Sequence, residues 1–178
     1  MAIGIFGGRF DPPHVGHLAL ARAAVHHFEL AELNVTVVAD AAHKSSEAAA
    51  DDRLAMARLA FAGFDAIVEL EQHRYTVDAL EAKRYHDPVF LIGGDELAAF
   101  PTWKEPARVL ELARLGVAAR PGWEPESDSG RIEIFELEPQ AVSSTEIRER
   151  VRGGQSIDGL VVPAVAAYIA DRDLYRGA

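Results

Sequence analysis

The chain has 178 residues, the size of one ordinary globular domain. Hydrophobic residues make up 49% of it and charged residues 26%, a balance that is typical of folded proteins and not of disordered ones. The net charge of -10 disfavours a nucleic-acid partner, since such a partner requires a basic surface. Cysteine is absent, which excludes disulfides, thiolate nucleophiles and cysteine zinc sites.

No segment predicts a membrane helix or a secretory signal. Every apolar run is shorter than the roughly 20 residues that a membrane helix needs. Residues 1–7 have no basic region and no long apolar core, so they do not resemble a signal peptide. We therefore expect a cytoplasmic protein without a membrane partner.

Short apolar segments alternate with helical segments along the chain. The first strand is predicted over 1–6, ended by a glycine pair, and the first helix over 17–28. Further strands are predicted, in chain order, over 34–38, 66–70, 88–92, 115–119 and 132–137. Further helices are predicted over 51–62, 77–85, 105–113, 143–151 and 163–171. Segments 39–50 and 121–130 are predicted to be loops.

This alternation predicts crossover connections and a parallel sheet that is covered on both faces. The sequence shows no internal repeat and no interdomain linker. We therefore expect a single doubly wound α/β domain over residues 1–178. Ligands of such sheets bind beyond the carboxyl ends of the strands, where the strand order reverses.

A glycine pair and two histidines follow the first strand. Gly7 and Gly8 carry no Cβ, so the backbone there can approach a ligand closely. The free N–H groups of the next helix form an anion site, and His14 and His17 can donate hydrogen bonds to phosphate oxygens. The residue types also allow a plain tight turn, a helix cap with a packed ring, or a metal pair. The segment matches neither the P-loop pattern nor the dinucleotide-binding pattern, which argues against a P-loop ATPase and a dehydrogenase.

A second polar motif begins the helix predicted over 143–151. The hydroxyls of Ser143 and Ser144 can cap free N–H groups or contact an anion, and Arg148 lies one turn further on. The alternative is an ordinary capping box between Ser143 and Glu146, with the arginine as a solvated surface charge. The residue types alone favour this alternative.

Taken together, the two motifs resemble the hallmarks of the nucleotidyltransferase superfamily. Residues 14–17 match its His-x-Gly-His motif, and residues 143–148 match its Ser-Ser/Thr-x-x-x-Arg motif. The resemblance is closest to the bacterial nicotinate-mononucleotide adenylyltransferases, whose fold is Rossmann-like, and it runs through nearly the whole chain. Further similar stretches are 7–14, 75–80, 91–97 with Phe100 and Trp103, 116–122, and 174–176.

The resemblance implies a role for each matching residue. The catalytic contacts to the ATP phosphates would come from His14, His17, Lys44 and Arg148. The other ATP contacts would come from Gly7, Gly8, Phe10, Asp95, Ser143 and Ser144. The acceptor would be bound by Tyr75, Thr76, Trp103 and Arg120. The residue types alone also allow Asp95 as a helix cap, Trp103 as a core aromatic and Lys44 as a solvated loop charge.

The implied reaction is adenylyl transfer from ATP to nicotinic acid mononucleotide. The acceptor phosphate is already a nucleophile, so the site has only to align it and to stabilise the charge that moves onto pyrophosphate. Mg²⁺ would accompany ATP through phosphate oxygens and water, with no protein metal site. The alternatives are a related adenylyltransferase with another phosphorylated acceptor, such as phosphopantetheine, and a non-catalytic nucleotide sensor on the same fold. A homo-oligomer is compatible with the sequence.

The sequence departs from the family pattern at four places, one of which is the connection over 123–131, which is shorter than in many relatives. Arg9 stands where the family usually has threonine, beside the expected phosphates. The pair Ala41-Ala42 falls in a loop that is commonly proline-rich. Arg74 precedes Tyr75 where a small serine is frequent, which places a charge near the expected acceptor pocket. These departures concern the choice of acceptor more than the class of reaction.

Overall fold

Parallel strands form the centre of the molecule. The computed structural model describes residues 1–39, 46–119, 122 and 129–177. Within this part of the chain the strands are β1 (Ile3–Gly8), β2 (Glu32–Val38), β3 (Ala66–Glu71), β4 (Pro88–Gly93), β5 (Arg114–Ala119) and β6 (Ile132–Glu136). They form one sheet in the order β3-β2-β1-β4-β5-β6, and every pairing is parallel. The predicted doubly wound α/β fold is confirmed.

Helices connect these strands. They are α1 (Val15–His27), α2 (Ala50–Ala60), α3 (Thr76–Lys83), α4 (Gly94–Ala99), α5 (Pro106–Leu112), α6 (Ser144–Arg152) and α7 (Pro163–Asp171), with a 3₁₀ turn at Phe100–Thr102. Helix α4 and the 3₁₀ turn were not predicted, because six residues span fewer than two turns and show no apolar period. None of the helices in the described ranges is long and apolar enough to cross a membrane.

The strands carry apolar residues on both faces, because both faces of the sheet are covered. Successive side chains of a strand point to opposite faces. In β4, Val89 and Leu91 belong to a cluster with α1, α2 and α7, whereas Phe90 and Ile92 belong to a second cluster with α3 and α5. Two covered faces explain why the central strand β4 is a continuous apolar run, whereas the edge strands β3 and β6 include glutamates.

A crevice opens where the strand order reverses, between β1 and β4. These two strands pair only from Ile3 with Pro88 to Ile5 with Phe90. Each strand then continues to pair with its outer neighbour only, so that β1 runs beside β2 up to Gly8. Strand β1 thus includes both glycines, and the prediction that it ends before them was wrong. The gap lies at the carboxyl ends of the strands, the expected position of a ligand site.

Candidate active site

His14 and His17 lie together at the start of α1, directly after the loop that follows β1. His14 is the N-cap residue, and its backbone N–H donates to Nδ1 of His17 at 3.1 Å. The two rings stack with centroids 3.7 Å apart. Because Nδ1 of His17 accepts a hydrogen bond, the proton of the neutral ring lies on Nε2, which makes Nε2–H a donor. The cap of the helix and a phosphate contact are therefore compatible roles for this histidine.

Burial disfavours the protonated form of both rings in the free protein. It lowers the pKa of His14 to about 4. Burial, and then the nearby charge of His14 when protonated, lower the pKa of His17 well below its usual value. A bound polyphosphate would oppose this effect, because a negative charge nearby favours the protonated ring. The pair can thus act as neutral donors and gain charge as negative charge develops beside them.

The second motif contacts the loop between β1 and α1. The hydroxyl of Ser144 donates to the carbonyl oxygen of Pro12 at 2.8 Å, across 132 positions of sequence. Arg148 donates to the carbonyl oxygen of Asp11 at 2.8 Å. Ser143 is the N-cap of α6, and its Oγ accepts from the backbone N–H of Glu146 at 3.1 Å. The structure therefore brings the two motifs to one site.

Arg148 is held in place by a carboxylate that sequence reasoning missed. Its side chain is only 11% exposed and pairs with Glu47 at 2.8 Å. Arg152, one turn further along α6, pairs with the same carboxylate. The hydrogen bond from Arg152, together with that from Arg148, holds the pKa of Glu47 below its usual value. The alternative of Arg148 as a solvated surface charge is wrong.

Two of the predicted acceptor residues, Tyr75 and Thr76, line a cleft of about 60 Å³ that also includes Ile5 and Gly7 of β1, whereas Trp103 is not among its lining residues. Tyr75 is the N-cap of α3 and Thr76 is its first residue, so their backbone N–H groups lie at a helix start. Arg74 also lines this cleft, and Phe90 forms part of its wall. Trp103 packs edge-on against Phe90, with ring centroids 6.0 Å apart, and is only partly buried. Trp103 is therefore not a fully buried core aromatic.

Two predicted ATP-binding residues differ in surroundings. Asp95 is exposed in the first turn of α4, whose N-cap is Gly93, so the helix-cap alternative for Asp95 is wrong.

The ring of Phe10 is buried and packs against His17, with centroids 5.0 Å apart, and against Phe61. Phe10 can therefore offer a ligand only its backbone, because its ring forms the floor beneath His17. Its assignment as an ATP-binding residue stays a prediction.

Some predicted residues lie outside the described part of the chain. These are Lys44 and Arg120, together with the Ala41-Ala42 pair and most of the loop predicted over 121–130. Their roles stay predictions.

Sequence reasoning also missed a buried polar cluster behind the two motifs. Asp11 accepts hydrogen bonds from the backbone N–H groups of Glu47 and Ala48 and from the hydroxyl of Tyr175. Arg53 of α2 is buried close to this carboxylate. The sequence could have indicated this burial. Arg53 lies on the same face of the helix as Met56, Ala57 and Ala60, which are all buried.

Comparison with known proteins identifies the family. The family model described as cytidylyltransferase-like matches residues 5–150. A probable nicotinate-nucleotide adenylyltransferase of Gemmatimonas aurantiaca is 40% identical over 196 residues, which cover 99% of this chain and 93% of the relative. One from Chromobacterium violaceum is 35% identical over 209 residues, which cover 98% of each chain. The chain belongs to the nicotinate-nucleotide adenylyltransferase family.

Solved structures support the fold of this family member. It superposes on a Plasmodium falciparum nicotinic acid mononucleotide adenylyltransferase complexed with NaAD with a TM-score of 0.82, at 17% identity and over 98% and 97% of the two chains. The same Plasmodium enzyme complexed with APC gives a TM-score of 0.78 at 16% identity, over 98% and 96% of the two chains. At this identity the likeness establishes the architecture.

Proposed function

We propose that this adenylyltransferase moves the AMP group of ATP onto the phosphate of nicotinic acid mononucleotide. The products are nicotinic acid adenine dinucleotide and pyrophosphate. The main support is that the two motifs lie together at the crevice. Ser144 and Arg148 donate hydrogen bonds to the loop that leads to His14. The family relatives bear the name of this activity over the full length of the chain.

The chemistry needs positioning and charge stabilisation. An oxygen of the acceptor phosphate attacks the α-phosphorus, and the bond to the bridging oxygen breaks, so that its electron pair leaves with pyrophosphate. No protein base is required, because the attacking oxygen is already anionic. His14, His17 and Arg148 would donate to the oxygens that gain charge, with Lys44 as a further cation. Because other contacts already hold these donors in place before ATP binds, little free energy is spent on reorganising them during the reaction.

The remaining contacts would orient the two substrates. Gly7 lines the cleft, and the absence of a Cβ at Gly7 and Gly8 would let ATP approach the backbone of β1. Ser143 and Ser144 would contact the terminal phosphates, and Asp95 a ribose hydroxyl of the adenosine. The backbone N–H groups at the start of α3 suit the carboxylate of nicotinate, since helix N-termini favour anions. Trp103 would stack on the pyridine ring, and Arg120 would contact the acceptor.

Magnesium fits this site as a companion of ATP. Among residues 1–39, 46–119, 122 and 129–177, no three histidine, aspartate or glutamate side chains converge on one point. Mg²⁺ usually keeps several waters and binds through substrate phosphates, which requires few protein ligands. When bound, it would neutralise part of the negative charge of the triphosphate. We place the reaction in the cytoplasm, without a nucleic-acid partner.

The test is pyrophosphate release from ATP and Mg²⁺ with three acceptors in parallel. We expect release with nicotinic acid mononucleotide, and none above background with phosphopantetheine or with no acceptor. Nicotinamide mononucleotide, the amide, tests the preference for the acid. We expect its kcat/KM to be lower than that of nicotinic acid mononucleotide. Release with phosphopantetheine alone would assign another acceptor. Binding of ATP without release in any mixture would identify a nucleotide sensor.

A further inference from the structure

Arg53 is a buried cation that lies behind the proposed phosphate site. Its residue is 2% exposed. The guanidinium donates to four carbonyl oxygens, those of Ala48 at 3.1 Å, Arg9 at 2.9 Å, Val38 at 2.7 Å and Ala39 at 2.9 Å. Four of its five N–H donors are thus used inside the protein.

This arrangement requires arginine. A buried charge is tolerated only where it is paired and hydrogen-bonded. Burial lowers the pKa of Arg53, and the negative charge of Asp11 opposes that effect. A lysine could place a charge there, but its three donors radiate from one atom and cannot reach carbonyls that surround a planar fork. The four carbonyl oxygens are therefore matched by the planar arrangement of the guanidinium donors as well as by the positive charge.

The four carbonyls belong to three separate backbone segments. Arg9 is in the loop between β1 and α1, Val38 ends β2 and is followed by Ala39, and Ala48 precedes α2. Asp11 joins two of these segments from the other side, because it lies in the first loop and accepts from the backbone N–H of Ala48 at 3.1 Å. Arg53 and Asp11 together fix these segments relative to one another.

The same segments hold the proposed phosphate-binding groups. The carbonyl oxygen of Asp11 accepts from Arg148, and that of Pro12 accepts from Ser144. Glu47, whose backbone N–H donates to the carboxylate of Asp11 at 2.7 Å, pairs through its side chain with Arg148. A shift of the segments around Arg53 would therefore move the acceptors that aim Arg148.

We propose that Arg53 is a positioning residue for adenylyl transfer, acting through the loop after β1 and through Glu47 on the groups that bind ATP. The inference rests on the proposed function. Arg53 does not line the acceptor cleft, whose described walls include Tyr75, Thr76 and Phe90. Its loss should therefore affect the use of ATP more than that of the acceptor.

The test compares Arg53→Lys with Arg58→Lys, an exposed arginine of the same helix. For Arg53→Lys we expect the KM for ATP to rise about tenfold and kcat to fall, because small misplacements near a reacting centre are costly. The KM for the acceptor should change less than about twofold, and Arg58→Lys should match the wild type. A purely structural role would lower the folded fraction and apparent kcat but leave both KM values unchanged, which would overturn the proposal.

A second pair of variants covers the case in which Arg53→Lys does not fold. Tyr175→Phe removes the hydroxyl that donates to Asp11 at 2.7 Å, and Tyr168→Phe removes a similar bond to Asp52, at 2.9 Å and away from the loop. We expect the KM for ATP to rise about threefold in Tyr175→Phe only. Equal KM values for ATP in the two variants would overturn the proposal.

Measurements on the wild type distinguish a failure of this inference from a failure of the proposed function. If it binds ATP in calorimetry but releases no pyrophosphate with any acceptor, the proposed function fails. The dissociation constant for ATP then replaces the KM in both comparisons, with the same expected ratios. A wild type that binds no ATP would overturn both proposals.

Discussion

The glycine between the two histidines of the first motif has a steric role. A Cβ at Gly16 would lie 3.0 Å from Nδ1 of His14, 3.1 Å from its Cε1 and 3.2 Å from Cγ1 of Val142. Contacts this close require the His14 ring and the Val142 side chain to shift by a few tenths of an ångström. The stacked pair therefore depends on the absence of a side chain at Gly16, in addition to the ring nitrogens themselves.

We expect Gly16→Ala to reduce activity with little loss of stability. Alanine is about 1 kcal/mol better than glycine in a helix, which offsets part of the steric cost. The displaced ring of His14 should lower kcat/KM for ATP about tenfold or more. Steady-state kinetics and thermal unfolding measure the two effects. Gly63→Ala is the control, because nothing lies within 4 Å of a Cβ there. Wild-type kinetics in Gly16→Ala would contradict the steric argument.

His17→Ala should lower turnover far more than it weakens acceptor binding. If Nε2–H donates to charge that develops in the transition state, its removal should cut kcat by about 100-fold. The KM for the acceptor should change less than about threefold. The control is His26→Ala, at an exposed position of the same helix. Equal losses in kcat and acceptor affinity would count against the assigned role.

At the scale of elements, the first residues of α6 have two separable functions. Ser143 caps the helix through the N–H of Glu146, whereas Ser144 ties the helix to the loop after β1 through Pro12. The Glu146 side chain does not complete a capping box, since its carboxylate pairs with Arg150. One serine thus stabilises the element, and its neighbour fixes where the element lies.

Both serine-to-alanine variants remove a proposed phosphate contact, so we expect them to differ in the loss of stability and in the size of the rise in the KM for ATP. Ser143→Ala removes an N-cap and should lower the free energy of unfolding by about 1 kcal/mol. Ser144→Ala leaves that cap in place and should raise the KM for ATP about threefold or more, because α6 and Arg148 lose one tie to the loop. Urea unfolding and steady-state kinetics on both proteins test this. The interpretation fails if Ser143→Ala shows the larger change in KM and Ser144→Ala the larger loss of stability.

At the scale of the whole molecule, the buried histidines make folding depend on pH. The folded-state pKa of His14, about 4, lies below the unfolded value near 6.5, and that of His17 is also strongly lowered. As the pH falls through 6.5, the unfolded chain takes up protons that the folded chain does not. The stability that comes from these neutral rings is therefore present above pH 6.5 and is lost as the solution becomes more acidic.

When the pH is lowered from 7.5 to 5, we expect the free energy of unfolding to fall by about 2 kcal/mol because of His14 alone. Urea unfolding of the wild type and of His14→Gln at both pH values measures this difference. The variant should lose less stability than the wild type over this interval, and His26→Gln serves as the control. An equal loss in His14→Gln and the wild type would contradict the effect of His14 burial.

The sequence alone determined the architecture and the two motifs. Apolar runs, turn residues and helical periods are local properties of the chain, so the positions of β1 to β6 could be predicted within a few residues. Helix α4 was missed because it is too short to show a period. The motifs around His14 and Ser144 could be recognised because each is a contiguous stretch of the sequence.

The tertiary structure decided which of these residues meet. The bond between Ser144 and Pro12, the pairing of Arg148 with Glu47 and the burial of Arg53 join residues that are far apart in the chain. The same packing buries the ring of Phe10 against His17. Such contacts depend on the order of the strands and on how the helices cover the sheet. Local propensities do not fix that order, because each strand and helix would form equally well beside other neighbours.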